Sequence, residues 1–470
     1  MSLPLPHKPF EDRLAEALAN PQRLAAIGRA AMRFYEGRVA AMDTLPDAEA
    51  IRDLARAIRA HTIAHLDEYL QRFEANVQAA GGHVHWAHDA VEACSIVLRI
   101  AQENAVRRVV KSKSMVSEEI SLNAALEQAG LEVVETDLGE YIAQLGHDHP
   151  SHIVAPVLHL TRQEVGRIFS ERLAVPYTDE IAALNAIARR ALREKFLKAD
   201  MGISGCNFAV AETGTVCIVT NEGNGRMVTT LPRVHVALMG MERIVPTLQD
   251  LAVMLQLLPR SATGQKLTAY TSLLTGPRRP DEPHGPQETH VVILDNGRSR
   301  ALAGDLAEIL YCIRCGACLN VCPVYRTIGG HAYGSVYSGP VGSVLSPILG
   351  GVAAFADLPQ ASTLCGACHD ICPVRIDLPL LLLRLRREVA REGYTPRWLQ
   401  VGIRGYTAVA RRAGHFALAA RLASWLTRLM GGGWFNGQLP GPLGAWTRSR
   451  AFPPFVRRTF QQRWKERHRG

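Results

Sequence analysis

Seven cysteines fall between positions 312 and 372, and their spacing constrains this chain more than any other feature. The first group, CIRCGACLNVCPVYR, sets Cys312, Cys315, Cys318 and Cys322 in the order CxxCxxCxxxCP. That is the bacterial ferredoxin run. Two-residue gaps turn successive thiolates around one cube of iron and sulfide, while the cysteine before proline points toward a second cube. The second group, STLCGACHDICPVRI, repeats the pattern 50 residues later, so cysteines are expected at 362, 365, 368 and 372, and three are present. Position 362 is Ser362.

The cross-over rule then gives a complete set, Cys312, Cys315, Cys318 and Cys372, and an incomplete one, Cys322, Cys365 and Cys368. The expected cofactors are one [4Fe-4S] cluster and a second that is [4Fe-4S] or [3Fe-4S]. The fourth iron of the second is open to Ser362, a water, a partner's side chain or a substrate atom, or is absent. Zinc also uses CxxC pairs, but a third cysteine after two more residues and a Cys-Pro after three more have no zinc rationale. No secretory signal is seen ahead of this region, so the thiols read as metal ligands in a reducing, cytoplasmic compartment rather than as disulfides. Gly316 and Gly366 let backbone approach sulfide closely, and Pro323 and Pro373 are expected to stop the local helix after the last ligand.

A chain of 470 residues with 47% hydrophobic content suits two or three domains with a large core. The longest apolar candidate, LPLLLL from Leu378, is broken by Arg384 and Arg386, well short of the roughly 18 residues a membrane span needs. Charge is uneven. From Arg384 to Gly470 there are 18 Lys plus Arg against 3 Asp plus Glu, a net +15, while the first 383 residues carry −6. That tail also holds Trp398, Trp425, Trp434, Trp446 and Trp464. Arginine with tryptophan suits an acidic partner subunit, a membrane surface or nucleic acid. Nucleic acid ranks lowest because no recognition motif accompanies the charge. Leu422, Trp425, Leu426, Leu429 and Met430 make one stripe of an amphipathic helix, expected to dock on its own domain.

Residues 1–105 read as a helical lead-in, dense in Ala, Leu, Arg and Glu. A βα alternation follows: strand Arg108 to Lys111, helix Glu118 to Ala129 closed by Gly130, strand Leu131 to Thr136. Such alternation implies a parallel sheet. FAVAETGTVCIVT, from Phe208 to Thr220, reads as a hairpin; Val234 to Leu238 and His290 to Leu294 are further strands, and GPRRPDEPHGP from Gly276 is a long loop before the last. The expected organisation is a helical region 1–105, an α/β domain 106–300, an iron-sulfur domain 301–383 and a basic, Trp-rich helical region 384–470.

KSKSMVSEEI from Lys111, PSHIVAPVLHLT from Pro150, AETGTVCIVTNEGNGRMVTTLPRVHVALMGMERIVP from Ala211, and LLTGP with HGP near residue 280 resemble the LUD domain. Followed by CIRCGACLNVCPVYRTIGGHAYG and LCGACHDICPVRI, they resemble the lactate utilisation protein B family over about residues 10 to 470. The resemblance implies an α/β LUD fold similar to that of sugar-phosphate isomerases and CoA transferases, followed by a helical two-cluster domain. It also implies a role in oxidising L-lactate to pyruvate with a cysteine-rich redox subunit and a LUD-only subunit; the basic tail adds peripheral membrane contact, and a quinone is a candidate electron acceptor.

Other candidates are weaker. Cys94, Cys206 and Cys217 are scattered, and a buried inert thiol is the default for Cys217. His147, His149, His152 and His159 form a histidine-dense stretch, read as a loop of solvated or capping side chains. Lys111, Lys113, Glu212, Asn221, Asn224, Arg226 and Arg278 stand at expected strand ends and loops and read first as turn residues and surface pairs, with a grip on a small anion as the alternative. No catalytic nucleophile and base set and no nucleotide fingerprint is visible. Oxidising a hydroxy acid removes two electrons while each cluster carries one, so the substrate centre is expected on a partner. The chain therefore reads as the electron-transfer subunit of a non-nicotinamide L-lactate dehydrogenase complex. A subunit serving another 2-hydroxy acid such as glycolate, or a redox- or metabolite-sensing protein, is the alternative.

Overall fold

The computed structural model describes residues 6–429, 444, 447, 450–456 and 458–468. The chain forms two compact units, Met1–Glu392 and Gly393–Gly470.

The first unit is built on a six-stranded, wholly parallel sheet. Its strands are β1 (His83–Ala87), β2 (Arg108–Lys111), β3 (Glu132–Glu135), β4 (Met201–Gly205), β7 (Val234–Gly240) and β10 (Glu288–Leu294), in the order β1-β10-β7-β4-β2-β3. Helices cover both faces, so central strands read as near-continuous apolar runs; every residue of β7, VHVALMG, is buried. A smaller sheet holds β5 (Phe208–Val210), β6 (Thr215–Thr220), β8 (Ile244–Val245) and β9 (Tyr270–Leu274) in the order β8-β5-β6-β9. The hairpin expected at Phe208 to Thr220 is its β5-β6 pair, with Phe208 opposite Cys217.

Two local readings need correction. The lead-in is helical only as far as helix Leu66–Ala79; β1 and helix Ala90–Glu103 follow, so the alternation begins earlier. β1 is HVHWA, a short edge strand with two histidines and only Ala87 buried, which hides its strand character. The helix expected over Glu118 to Ala129 is two helices, Met115–Glu119 and Leu122–Gln128, separated at Ser121, whose φ is 52°.

Beyond β10 the unit is helical. Helix Gly339–Gly350, with Gly339 through Leu349 all buried, occupies the interval between the two cysteine groups. Helix Leu378–Arg391 buries Leu378, Leu381, Leu382, Leu385 and Val389, one stripe of a 3.6-residue period, and runs unbroken across position 384. N-terminal helices Pro21–Asp43 and Ala48–Ala64 brace this region: Arg38 donates to the Ile371 carbonyl at 2.7 Å and Arg52 to the Cys372 carbonyl at 2.8 Å.

In the second unit, helices Arg397–Ala410, Ala413–Leu429 and Phe460–Arg467 are described. The stripe expected to dock on its own domain is instead exposed: Leu422 52%, Trp425 57%, Leu426 51% and Leu429 66%. Ser424 and Thr427 are the buried side of that helix. Met430, Trp434 and Trp446 lie outside the described residues. No helix among the described residues is long and apolar enough to cross a membrane.

Candidate iron-sulfur site

Each cysteine group opens with a tight turn. Arg314 and Leu364 take φ of 58° and 54°, a region few residues other than glycine adopt. In the first turn the Arg314 N–H donates to Cys312 Sγ at 3.4 Å. In the second the Leu364 N–H donates to Ser362 Oγ at 3.2 Å. Gly316 and Gly366 follow at φ 76° and 86° and open the short helices Ala317–Val321 and Ala367–Asp370. A Cβ on Gly316 would stand 3.2 Å from Val154 Cγ2, so both dihedral and packing demand glycine there. The prolines act differently from the reading of them as helix stops: both short helices end before the last cysteine, and Pro323 opens helix Pro323–Ile328. Its fixed φ suits the first helical position. Cys322 Sγ caps that helix by accepting the Tyr325 N–H at 3.5 Å, and Cys372 Sγ accepts the Ile376 N–H at 3.3 Å.

A cavity is lined by Cys312, Cys315 and Cys318 of the first group and Cys372 of the second, with Ile153 and Arg314 beside them. Cys322, Cys365 and Cys368 make a second neighbourhood whose charges act on one another. Burial pushes the Cys315 and Cys368 thiols up to about 12 and Cys372 to about 11. Cys365 is exposed, and hydrogen bonds from the Thr363 side chain and the Ala367 N–H hold its thiol below the ordinary value. Metal binding would draw off the remaining protons.

Arginines crowd the first neighbourhood. Arg38 acts on Cys315 and Cys372, and Arg59, Arg243 and Arg314 are set near Cys312. All four are buried. Arg314 lines the cavity with Nε and Nη1 buried and without a hydrogen-bond partner among the described residues, and the same holds for Arg38 Nε and Arg243 Nε. A buried donor left without an acceptor costs about 1–3 kcal/mol. Sulfide and thiolate sulfurs are the acceptors this cage lacks, so its donor set fits an iron-sulfur cluster. Among the described residues, groups of three ligands close enough for one ion occur at Asp148, His159 and His331 and at Glu118, Glu135 and Glu140, and neither is made of the seven cysteines. A single zinc would need its thiolates within about 4 Å of one another.

The cationic shell is tied to the sheet. Arg298 donates to both oxygens of Glu119 at 2.9 Å and to Glu242 at 2.6 Å; Glu242 also accepts from Arg314 at 3.0 Å, and Glu119 from Tyr337 Oη at 2.7 Å. Burial alone would raise the Glu242 carboxyl, but Arg298, Arg314 and Arg243 pull it down to about 2.

Residues 70–294 match the LUD domain model and residues 308–376, which contain all seven cysteines, match the 4Fe-4S dicluster domain. Lactate utilization protein B of Bacillus pumilus is 46% identical over 474 residues, covering 100% of this chain and 99% of its own. The protein of that name from Bacillus cereus strain AH820 is 44% identical over 471 residues, with the same coverage. The chain belongs to the lactate utilization protein B family. A crystal structure of a DUF162 family protein from Deinococcus radiodurans aligns with 49% of this chain and 98% of its own at 16% identity and a TM-score of 0.29, too slight a likeness to inform the site.

The LUD domain's histidine stretch divides between the two roles read for it, solvated and capping, with a buried pair that packs on the cluster region. His147 and His149 are exposed, but His152 and His159 are buried. His152 Nδ1 accepts the Val154 and Ala155 N–H groups, so its Nε2 donates to Asn320 Oδ1 at 3.1 Å, inside the first cysteine group. His159 joins Asp148 at 2.9 Å and Ser151 Oγ at 2.7 Å. This loop is the packing surface for the cluster region, and Ile153 reaches the cavity itself.

The polar candidates divide. Lys111, Lys113 and Asn224 meet beyond the carboxyl ends of β2 and β3, beside the point where strand order reverses. Glu212 caps helix Leu248–Thr263 through the Leu248 N–H, Asn221 joins Gln265 and Ala269, Arg226 lies over the Tyr270 ring, and Arg278 lines a separate surface pocket. Lys111, wholly buried, is committed to Glu135 at 2.8 Å and Glu118 at 3.1 Å, and Lys113 to Glu140 at 2.9 Å. Asp137 and Glu222 add further acid. Burial and neighbouring carboxylates raise Glu135 to about 8 and Glu222 to about 7. Lys111 and Lys113 are thus held in ion pairs with carboxylates of this chain.

Proposed function

We propose that this chain is the iron-sulfur electron-transfer subunit of a complex that oxidises L-lactate to pyruvate. In this reading Cys312, Cys315, Cys318 and Cys372 hold one [4Fe-4S] cluster, and Cys322, Cys365 and Cys368 hold a second. The carrying observation is the cavity that gathers three thiols of the first group with Cys372 of the second beside Arg314, whose buried Nε and Nη1 find no acceptor among the described residues. When bound, such clusters pass single electrons and supply no proton chemistry of their own. The protein's part is to hold the thiolates, exclude water with Ile153, Val341 and Leu378, and offset negative charge with Arg38, Arg59, Arg243 and Arg314.

Lactate as the substrate rests on the names of the Bacillus relatives. The ion pairs that occupy Lys111 and Lys113 support a substrate centre on another subunit, because lactate is an anion and would need a free cation. A cysteine-rich redox subunit and a LUD-only subunit are the proposed partners, with a quinone as a terminal acceptor. The exposed Trp398, Trp425 and Leu429, carried in a strongly basic region, supply a surface for an acidic partner at the cytoplasmic face.

Iron and acid-labile sulfide analysis of the anaerobically purified chain tests the ligand assignment. About eight irons are expected, falling to about four in Cys372→Ala with the second cluster's spectrum retained. A Cys372→Ala protein that keeps the full iron content would overturn the division of ligands.

A further inference from the structure

The two cysteine groups are the same local structure built twice, and the second differs at one ligand position. Arg314 and Leu364 share the left-handed backbone, with φ of 58° and 54°. Each then donates its N–H to the side chain two residues earlier: to Cys312 Sγ at 3.4 Å in one case, to Ser362 Oγ at 3.2 Å in the other. A leucine at positive φ costs about 1 kcal/mol or more and persists only where the surroundings impose it. That turn therefore aims residue 362 as it aims Cys312. The backbone of Ser362 is also fixed: its carbonyl accepts from Arg386 Nη2 at 2.8 Å, while Arg386 Nε donates to the Pro359 carbonyl at 2.8 Å. The serine is only partly exposed, whereas Cys365, three residues on, is open to solvent.

We propose that Ser362 Oγ is the fourth protein ligand of the second cluster, completing the set Cys322, Cys365 and Cys368. This rests on the two-cluster reading above. As the Oγ–iron bond forms, the hydroxyl proton leaves to solvent and no electron moves. An oxygen donor is harder than a thiolate and binds iron less covalently, so the iron it holds is the one most easily lost on oxidation. The second cluster would then carry one iron distinct from the three held by thiolates.

The test uses the full chain, labelled with ⁵⁷Fe and purified anaerobically, as wild type, Ser362→Ala and Ser362→Cys. Iron content, Mössbauer and EPR spectra are read before and after mild oxidation. In the wild type about eight irons are expected, one with the parameters of an oxygen-ligated site. Ser362→Ala is expected to fall to about seven irons and give a three-iron EPR signal, and Ser362→Cys to keep about eight and to lose the distinct site. Wild type and Ser362→Ala with the same iron content and the same Mössbauer spectrum would overturn the proposal, and so would a wild type that already holds a three-iron cluster before oxidation. The first cluster's spectrum is the internal control for folding in each variant. A wild type with no second cluster at all would instead sink the two-cluster reading.

Discussion

Replacing Arg298 by methionine should destabilise the first unit by several kcal/mol, and by less at acid pH. The guanidinium is 1% exposed and holds two carboxylates, Glu119 and Glu242, that are wholly buried. Methionine fills much of the same volume but leaves both acids short of a cation, and breaking a buried pair in this way costs about 3–5 kcal/mol. Protonation sets a ceiling: forcing one buried glutamate to take up a proton at pH 7 costs about 4 kcal/mol, from about 1.4 kcal/mol per pH unit above its ordinary value. Glu242 keeps Arg314, and Glu119 keeps Tyr337, so about one such penalty is expected rather than two. Over the 392 residues of this unit, an unfolding entropy of about 2.1 cal/mol/K per residue converts the loss into an apparent melting temperature roughly 4–6 °C lower. At pH 5.5 the protonation penalty falls by about half, and the difference from wild type should shrink with it. Thermal melts at a fixed scan rate under anaerobic conditions, at pH 7 and pH 5.5, read both effects, and Glu119→Gln added to Arg298→Met should recover part of the loss. A shift below about 1 °C, or one equal at the two pH values, would refute the reasoning.

Two further outcomes follow from buried groups. Burial, aided by His290, lowers His235 to about 4, so the unfolded state binds the extra proton between about pH 6.5 and 4; stability is complete above that window and is lost as pH falls through it, on the order of 3 kcal/mol. His235→Gln should flatten the acid limb of a melting-temperature profile by about one proton, and an unchanged slope counts against the assignment. Removing the buried charge with Arg314→Leu should make the first cluster's reduction potential more negative, by roughly 50–100 mV at an effective dielectric of about 20. An EPR-monitored redox titration checks this, with the second cluster as reference.

What the sequence revealed was local. The cysteine register, the β5-β6 hairpin and the apolar runs of β7 and β10 are each complete within a dozen or so residues, so spacing and periodicity suffice to read them. The serine at 362 was visible as a gap in the register, but its turn was not. The arginine shell was hidden because Arg38, Arg52 and Arg59 lie on N-terminal helices more than 250 residues from the cysteines they serve. Arg314 alone sits inside the motif, where its bulk between two ligands is the one local hint. The carboxylates around Lys111 come from separate strands and helices, so they appear in sequence as ordinary surface acids. The exposed stripe of helix Ala413–Leu429 has the periodicity of a docking face, and periodicity does not say what it faces.

Anaerobic EPR of this chain assembled with its partner subunits, recorded before and after L-lactate is added, bears on the whole functional assignment. Reduced-cluster signals that appear with lactate and grow with turnover are expected, and their loss in Cys372→Ala would tie them to this chain. Clusters that dithionite reduces but lactate leaves untouched in the complete assembly would contradict a place for this protein on the path of electrons from lactate.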